Sequence, residues 1–287
     1  VIRGERAGAL ARGTSIRDAL DGALTAIAAA GCETPRLDAE LLVAHALGVP
    51  RERLLLDREL SVSGPAVRLL QDFVRRRSVQ REPLAYILGR RHFRRLELEV
   101  DPRVLIPRPE TELLVEVALT LPRGARVLDV GTGSGAVALA LKDERPDLDV
   151  SGSDFSADAL ELARSNGERL GLDVRWTAAD LLDGMDGAFD ALIANPPYVR
   201  DGDRSSLAPE ILRHEPASAL FAGADGLSAI RPLIAQAAAR PSIRLLAVEI
   251  GAGQASTVAG LMRAAFSSVR AERDLAGIER VLVAERP

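Results

Sequence analysis

The sequence predicts an α/β protein: a doubly wound, mostly parallel sheet, preceded by a small all-helical domain and a β-hairpin linker. Three observations predict it. From Arg126 onwards, apolar runs of strand length alternate with segments of helical period. A glycine-rich turn, Gly131 to Gly135, lies where the first of those strands gives way to a helix. The first 89 residues carry helical periodicity only. A chain of 287 residues exceeds the usual size of one domain, and the patterning divides it into residues 1–89, 90–108 and 109–287. With 47% hydrophobic and 27% charged residues, disordered and fibrous classes drop out.

Taken in order, Ser15 can cap a helix in which Ile16, Ala19, Leu20, Ala23, Leu24 and Ile27 keep one face, and Gly31 suits its end. Thr34 before Pro35 opens a second helix through Leu37, Leu41, Leu42 and Ala46, stopped by Gly48 and Pro50. Ser63 and Pro65 open a third, with Val67, Leu70, Phe73 and Val74 inward. No catalytic constellation shows in this front, which reads as a binding or recognition module. At Arg90 the period changes to two. Leu96, Leu98 and Val100 alternate with charges, and Leu105 and Ile106 precede a proline-rich turn, so a hairpin is predicted. Glu110 to Thr120 returns to helix. Strands follow at RVLDV, DVSGS, VRWTA, FDALIA, IRLLAVEI, SVRAERD and RVLVAE, with helices between all but the last pair, so at least one of those two runs antiparallel.

No apolar run approaches the ~20 residues that cross a bilayer, and no secretory signal opens the chain, so a cytoplasmic protein without membrane contact is expected. The single cysteine, Cys32, cannot form an internal disulfide. His45, His92 and His214 are too scattered for a spaced metal motif, so no metal is expected. Residues 1–100 hold 17 arginines against 13 acidic residues, while the remainder is acidic. Eight arginines between Arg75 and Arg95 read either as a solvated face or as a docking surface for an acidic partner or RNA.

Gly131, Thr132, Gly133, Ser134 and Gly135 form a turn whose glycines permit close backbone approach, at a helix amino terminus that offers unpaired N–H groups. Asp154 ends the next strand, where a carboxylate can accept from both ribose hydroxyls. These signals alone permit NAD as readily as S-adenosylmethionine. The GxGxG spacing, in place of the dinucleotide GxGxxG, favours S-adenosylmethionine. Asp180, after the third strand, is positioned to meet the adenine edge, with Leu181 packing on the ring; an ordinary strand-end cap is the alternative reading of Asp180.

Asn195, Pro196, Pro197 and Tyr198 end the apolar strand FDALIA. In a doubly wound sheet that end faces the ligand crevice. The prolines hold φ near −65° and keep Asn195 extended, so its side-chain oxygen and the Pro196 carbonyl are in place to accept the two N–H groups of a planar NH₂. Such a nitrogen is a poor nucleophile because its lone pair is delocalised. Two acceptors can turn that lone pair toward an electrophilic methyl, and Tyr198 would stack on the planar group.

From about Asp38 to Arg286 the chain resembles the HemK/PrmC family, the peptide chain release factor glutamine N5-methyltransferases. The resemblance rests on PLAYILG, LIPRPETELLVE, LDVGTGSGAVALAL, NPPYV, HEPASALFAGADGL, AVEIG and DLAGIERV. It implies a Rossmann-like class I methyltransferase domain behind a helical domain that recognises class 1 release factors, joined by a hairpin. It further implies S-adenosylmethionine bound at Gly131 to Gly135, Asp154, Leu181 and Asn195, and glutamine bound at Asn195 to Tyr198, with Phe93 a candidate wall of that pocket. Leu181 stands where the family often has an aromatic residue, and His92-Phe93 where it commonly has Glu-Phe. A nucleic-acid adenine N6-methyltransferase is the alternative, since adenine presents the same NH₂ group. A pI near 5.6 disfavours it, and a monomer that binds no nucleic acid stably is expected.

Overall fold

A computed structural model describes residues 13–57 and 60–287. They form two compact units that divide between Leu88 and Gly89.

The first unit contains β1 (Thr14–Ser15), α1 (Ile16–Ala29), α2 (Pro35–Leu47), α3 (Arg53–Leu56), β2 (Ser61–Val62), α4 (Pro65–Ser78) and α5 (Leu84–Leu88). The Ser15 side chain accepts from the Asp18 N–H and so caps α1. Thr34 precedes Pro35 without capping; its hydroxyl donates to Asp38 instead. Gly48 closes α2 in the left-handed region at φ 65°. Two expectations are corrected. The front is not purely helical, because β1 and β2 pair antiparallel, and Gly64, at φ 56°, rather than Ser63 precedes α4. The core gathers Ile27, Leu42, Val43, Leu70 and Phe73. Buried Asp38 and Arg77 join α2 to α4 through a 2.6 Å ion pair.

The second unit contains β3 (Arg90–Phe93), β4 (Leu96–Glu99), α6 (Glu112–Leu119), β5 (Arg126–Val130), α7 (Ala136–Glu144), β6 (Asp149–Asp154), α8 (Ala157–Leu170), β7 (Arg175–Ala178), β8 (Ala191–Ala194), α9 (Pro209–His214), α10 (Ile230–Ala238), β9 (Leu245–Glu249), α11 (Ala255–Arg263), β10 (Ser268–Arg273) and β11 (Glu279–Glu285). Seven strands form one sheet in the order β10-β11-β9-β8-β5-β6-β7. The five from β5 to β9 run parallel, while β11 is antiparallel to both β9 and β10. Side chains alternate between two cores, as a period of two requires. Val127, Ile193, Ala247 and Val283 face one core with α6 and α7; Leu128, Leu192, Leu246 and Leu282 face the other with α10 and α11.

The hairpin β3–β4 turns at Arg94, which has φ 51°, and ends at Glu99; Leu105 and Ile106 lie in irregular chain beyond it. Phe93, Leu96 and Leu98 enter the same core as Leu114 and Val137. The buried Asn166 side chain of α8 accepts from the Glu99 N–H and donates to the carbonyls of Glu99 and Ser134, tying hairpin to glycine turn. The arginine-rich stretch is largely neutralised within each unit: Arg75, Arg76 and Arg77 pair with Asp72, Glu82 and Asp38, and Arg94 takes Glu144 through two bonds of 2.8 and 2.9 Å.

Candidate active site

After β5 the chain runs outward to β6 and β7, then returns to β8 on the other flank of β5. The order reverses there, and the carboxyl ends of β5 and β8 open a crevice of about 550 Å³. Gly131 and Gly133 line it at φ 72° and 56°, and a Cβ on either would meet only open space, so these positions need glycine for backbone shape and leave room for a ligand. The Gly131 and Thr132 N–H groups both bond to the Ser153 carbonyl, which folds the turn back onto β6. The Thr132 hydroxyl donates to Asp129 at 2.6 Å, and the Ala138 N–H reaches the same oxygen at 3.2 Å. Burial still outweighs both bonds and pushes the Asp129 carboxyl up to about 7.

Asp154 lines the crevice beside this turn. One of its oxygens accepts the Gly133 N–H at 3.0 Å and the other the Ser156 N–H at 2.9 Å. Burial raises its pKa and the backbone donors lower it, with burial the larger effect. Each oxygen retains acceptor capacity for a second donor such as a ribose hydroxyl.

Asn195, Pro196 and Pro197 form the crevice wall beyond β8. The Asn195 Nδ2 donates to the Thr111 hydroxyl at 3.1 Å; its side-chain oxygen takes no hydrogen bond among the described residues. Thr111 in turn donates to Glu249 Oε2 at 2.7 Å, and the Tyr198 hydroxyl donates to Oε1 at 3.2 Å. Because Ala194 pairs with Val248 across β8 and β9, Asn195 and Glu249 emerge side by side. Burial pushes Glu249 up to about 7, against the bonds from Thr111 and Tyr198. Burial and the neighbouring Glu249 together drive the Tyr198 phenol far above its ordinary value. Buried Glu215 accepts the Ile106 N–H at 3.1 Å and Arg108 at 2.5 Å, which ties down a segment whose Leu105, Pro107 and Arg108 line the crevice.

Two protein-family descriptions match this chain: PrmC N-terminal domain over residues 18–89 and Methyltransferase small domain over residues 109–224. The release factor glutamine methyltransferase of Deinococcus radiodurans is 41% identical over 276 residues, covering 94% of this chain and 98% of that one. That of Mycolicibacterium smegmatis is 43% identical over 286 residues, with 95% and 98% covered. The chain belongs to the release factor glutamine methyltransferase family. The hMettl16 catalytic domain, solved with a 3′UTR hairpin, aligns over 77% of this chain and 81% of that one with TM-score 0.54 at 15% identity, a likeness of fold.

Within this family member the crevice gathers most of the predicted residues and excludes three. Gly131, Thr132, Gly133, Ser134, Asp154, Asp180, Leu181, Asn195, Pro196 and Pro197 line it. Gly135 does not: it packs inward, where a Cβ would stand 3.0 Å from both Leu139 and Trp176. Phe93 does not form a pocket wall, because it is buried to 1% in the hydrophobic core with the hairpin. Tyr198 is not among the crevice-lining residues: its hydroxyl bonds to Glu249 and its ring lies beside Gly251. Leu181 adopts φ 54°, a left-handed conformation that a leucine rarely accepts. Sequence reasoning missed Phe155, which lines the crevice beside Asp154 while 62% exposed, and it missed Thr111 and Glu249. A glutamate ending the wholly buried strand LLAVE was the available signal for the last. Among the described residues no cluster of His, Cys, Asp and Glu could hold a metal, and no helix is long and apolar enough to cross a membrane.

Proposed function

We propose that this protein transfers a methyl group from S-adenosylmethionine to the side-chain amide nitrogen of the glutamine in the Gly-Gly-Gln motif of class 1 peptide chain release factors, modulating translation termination. One observation carries the reading: in a chain 41% identical to a release factor glutamine methyltransferase, Asn195 presents a free carbonyl oxygen to the crevice while its donor end is held by Thr111. The crevice fits the cofactor. Its glycine turn leaves space where side chains would project, Asp154 supplies acceptors for ribose, and about 550 Å³ suits a nucleoside with an amino-acid arm. Phe155 and Leu181 offer apolar faces for adenine, with Asp180 at its polar edge.

S-adenosylmethionine, when bound, supplies an electrophilic methyl on a sulfonium sulfur. The residues of this chain must then overcome amide resonance, which gives a C–N bond a rotation barrier of ~18–20 kcal/mol. Asn195 Oδ1 and the Pro196 carbonyl accept the two N–H groups of glutamine, which orients the nitrogen lone pair and stabilises the charge that grows on nitrogen. Neither acceptor is a base at neutral pH, so the proton released from nitrogen passes to water. The reading further places the enzyme in the cytoplasm as a monomer, with the first unit recognising the release factor.

The test is incubation of a bacterial class 1 release factor, and of a variant with the motif glutamine replaced, with methyl-labelled cofactor. Label on the wild-type release factor alone is expected. Equal label on both contradicts the assignment.

A further inference from the structure

Resting on that reading, we propose that Thr111 and Glu249 are positioning residues that set which end of the Asn195 amide faces the substrate. A threonine hydroxyl has a single proton, and when Glu249 is ionised, at a pH above its raised value of about 7, Thr111 gives that proton to Oε2 at 2.7 Å. What remains on Thr111 toward Asn195 is lone pairs, so only the NH₂ end of the amide can rest there, at 3.1 Å. If the amide turned over, two oxygens would face each other without a proton between them, and the hydrogen bond would be lost. The relay therefore leaves the carbonyl oxygen pointing into the crevice, the end a substrate N–H needs.

Its second anchor is Tyr198, which donates to Glu249 Oε1 at 3.2 Å, so both carboxylate oxygens are committed as acceptors. The backbone supports the same placement: the Gln254 side chain donates to the Tyr198 carbonyl at 3.1 Å and accepts the Gly251 N–H at 2.8 Å. A side chain at Gly226 would strike that carbonyl at 2.4 Å, so this loop admits only glycine there. Thr111 and Glu249 are only 4% and 1% exposed, and Glu249 lies behind the crevice lining that Thr111 joins. A glutamate buried at the end of an apolar strand is costly unless its hydrogen bonds are used, and here they orient the amide.

Four full-length variants, compared at pH 8 where Glu249 is mostly ionised, test this. Thr111→Val keeps the side-chain shape but removes the hydroxyl, Thr111→Ser restores it, Glu249→Met removes the acceptor, and Glu249→Gln keeps an acceptor oxygen without the charge. Thr111→Val and Glu249→Met are expected to lower kcat by about tenfold or more, with KM for the release factor and affinity for S-adenosylhomocysteine changed less than about threefold. Thr111→Ser and Glu249→Gln should stay within about threefold of wild type. A second readout needs no substrate. The Asn195 side-chain NH₂ signals, identified by their loss in Asn195→Asp, should exchange slowly in wild type and quickly in Thr111→Val. Should Thr111→Val prove unstable, Glu249→Met reads the same signals from the far end of the relay. Unchanged amide exchange, or wild-type kcat in Thr111→Val, overturns the proposal. Altered exchange in an enzyme that labels no glutamine would keep the relay and remove the substrate reading.

Discussion

Replacing Asp154 by alanine removes two things at once. The carboxylate is the proposed acceptor for the ribose hydroxyls, and it also holds the Gly133 N–H at 3.0 Å and the Ser156 N–H at 2.9 Å. A hydrogen bond to a charged group contributes about 1.5–3 kcal/mol, which for one lost ribose bond means roughly 10- to 150-fold weaker binding. The lower half of that range is the sounder expectation. Burial raises the Asp154 pKa, so part of the gain from ribose offsets the cost of keeping the carboxylate out of water. Asp154→Asn should fare no better than alanine, because one end of its amide would oppose a backbone N–H donor with another donor. Calorimetric titration with S-adenosylhomocysteine at pH 8 measures the affinity, and thermal unfolding without ligand shows whether the glycine turn has collapsed. An affinity for Asp154→Ala within about threefold of wild type would refute the ribose assignment.

Further outcomes follow from the same geometry. Asn195→Ala should retain most cofactor affinity while single-turnover methylation falls by about 10²–10³, the usual effect of losing one preorganised hydrogen bond at a reacting group; a rate within about threefold of wild type would leave positioning to the prolines alone. Asp129 accepts both of its bonds on one oxygen, so Asp129→Asn can keep them while losing the titration. The wild-type carboxyl, raised from 3.8 to about 7, contributes stability that is full below about pH 4 and lost as pH rises through 7, roughly 4 kcal/mol in all. Urea unfolding should therefore show the variant gaining on wild type between pH 5 and pH 8, and a constant difference would contradict the buried-carboxyl account. Removing residues 1–88 should leave a folded domain that binds cofactor but methylates intact release factor poorly; an unchanged kcat/KM would show that the first unit is no recognition module.

Much of this was legible because local chemistry and tertiary context agree. Ser15 caps its helix, Gly48 ends the next, and each apolar run from RVLDV to RVLVAE becomes a strand of one sheet. The glycine turn and Asp154 were readable as a site because both sit at strand ends, and those ends share a crevice in any doubly wound sheet. What stayed hidden depends on direction or on distance along the chain. Period two in the hairpin shows that Phe93 alternates with charged neighbours, yet not whether its buried face meets a pocket or a core. Tyr198 beside two prolines suggests a stacking ring, but its hydroxyl finds Glu249, 51 residues away, and turns it inward. Thr111 and Glu249 are separated by 138 residues, so nothing local joins them. Gly135 belongs to the signature for packing reasons, since the Trp176 ring occupies the space a side chain would need.

The central claim is that a carbonyl oxygen on Asn195 directs a methyl group onto a glutamine amide. Tandem mass spectrometry of a release factor after incubation with this protein and S-adenosylmethionine tests it most directly. The account predicts one added methyl on the side-chain nitrogen of the glutamine in the Gly-Gly-Gln peptide, absent when Asn195→Ala replaces the wild type. A methyl on any other residue, or an equally modified glutamine with Asn195→Ala, would contradict it.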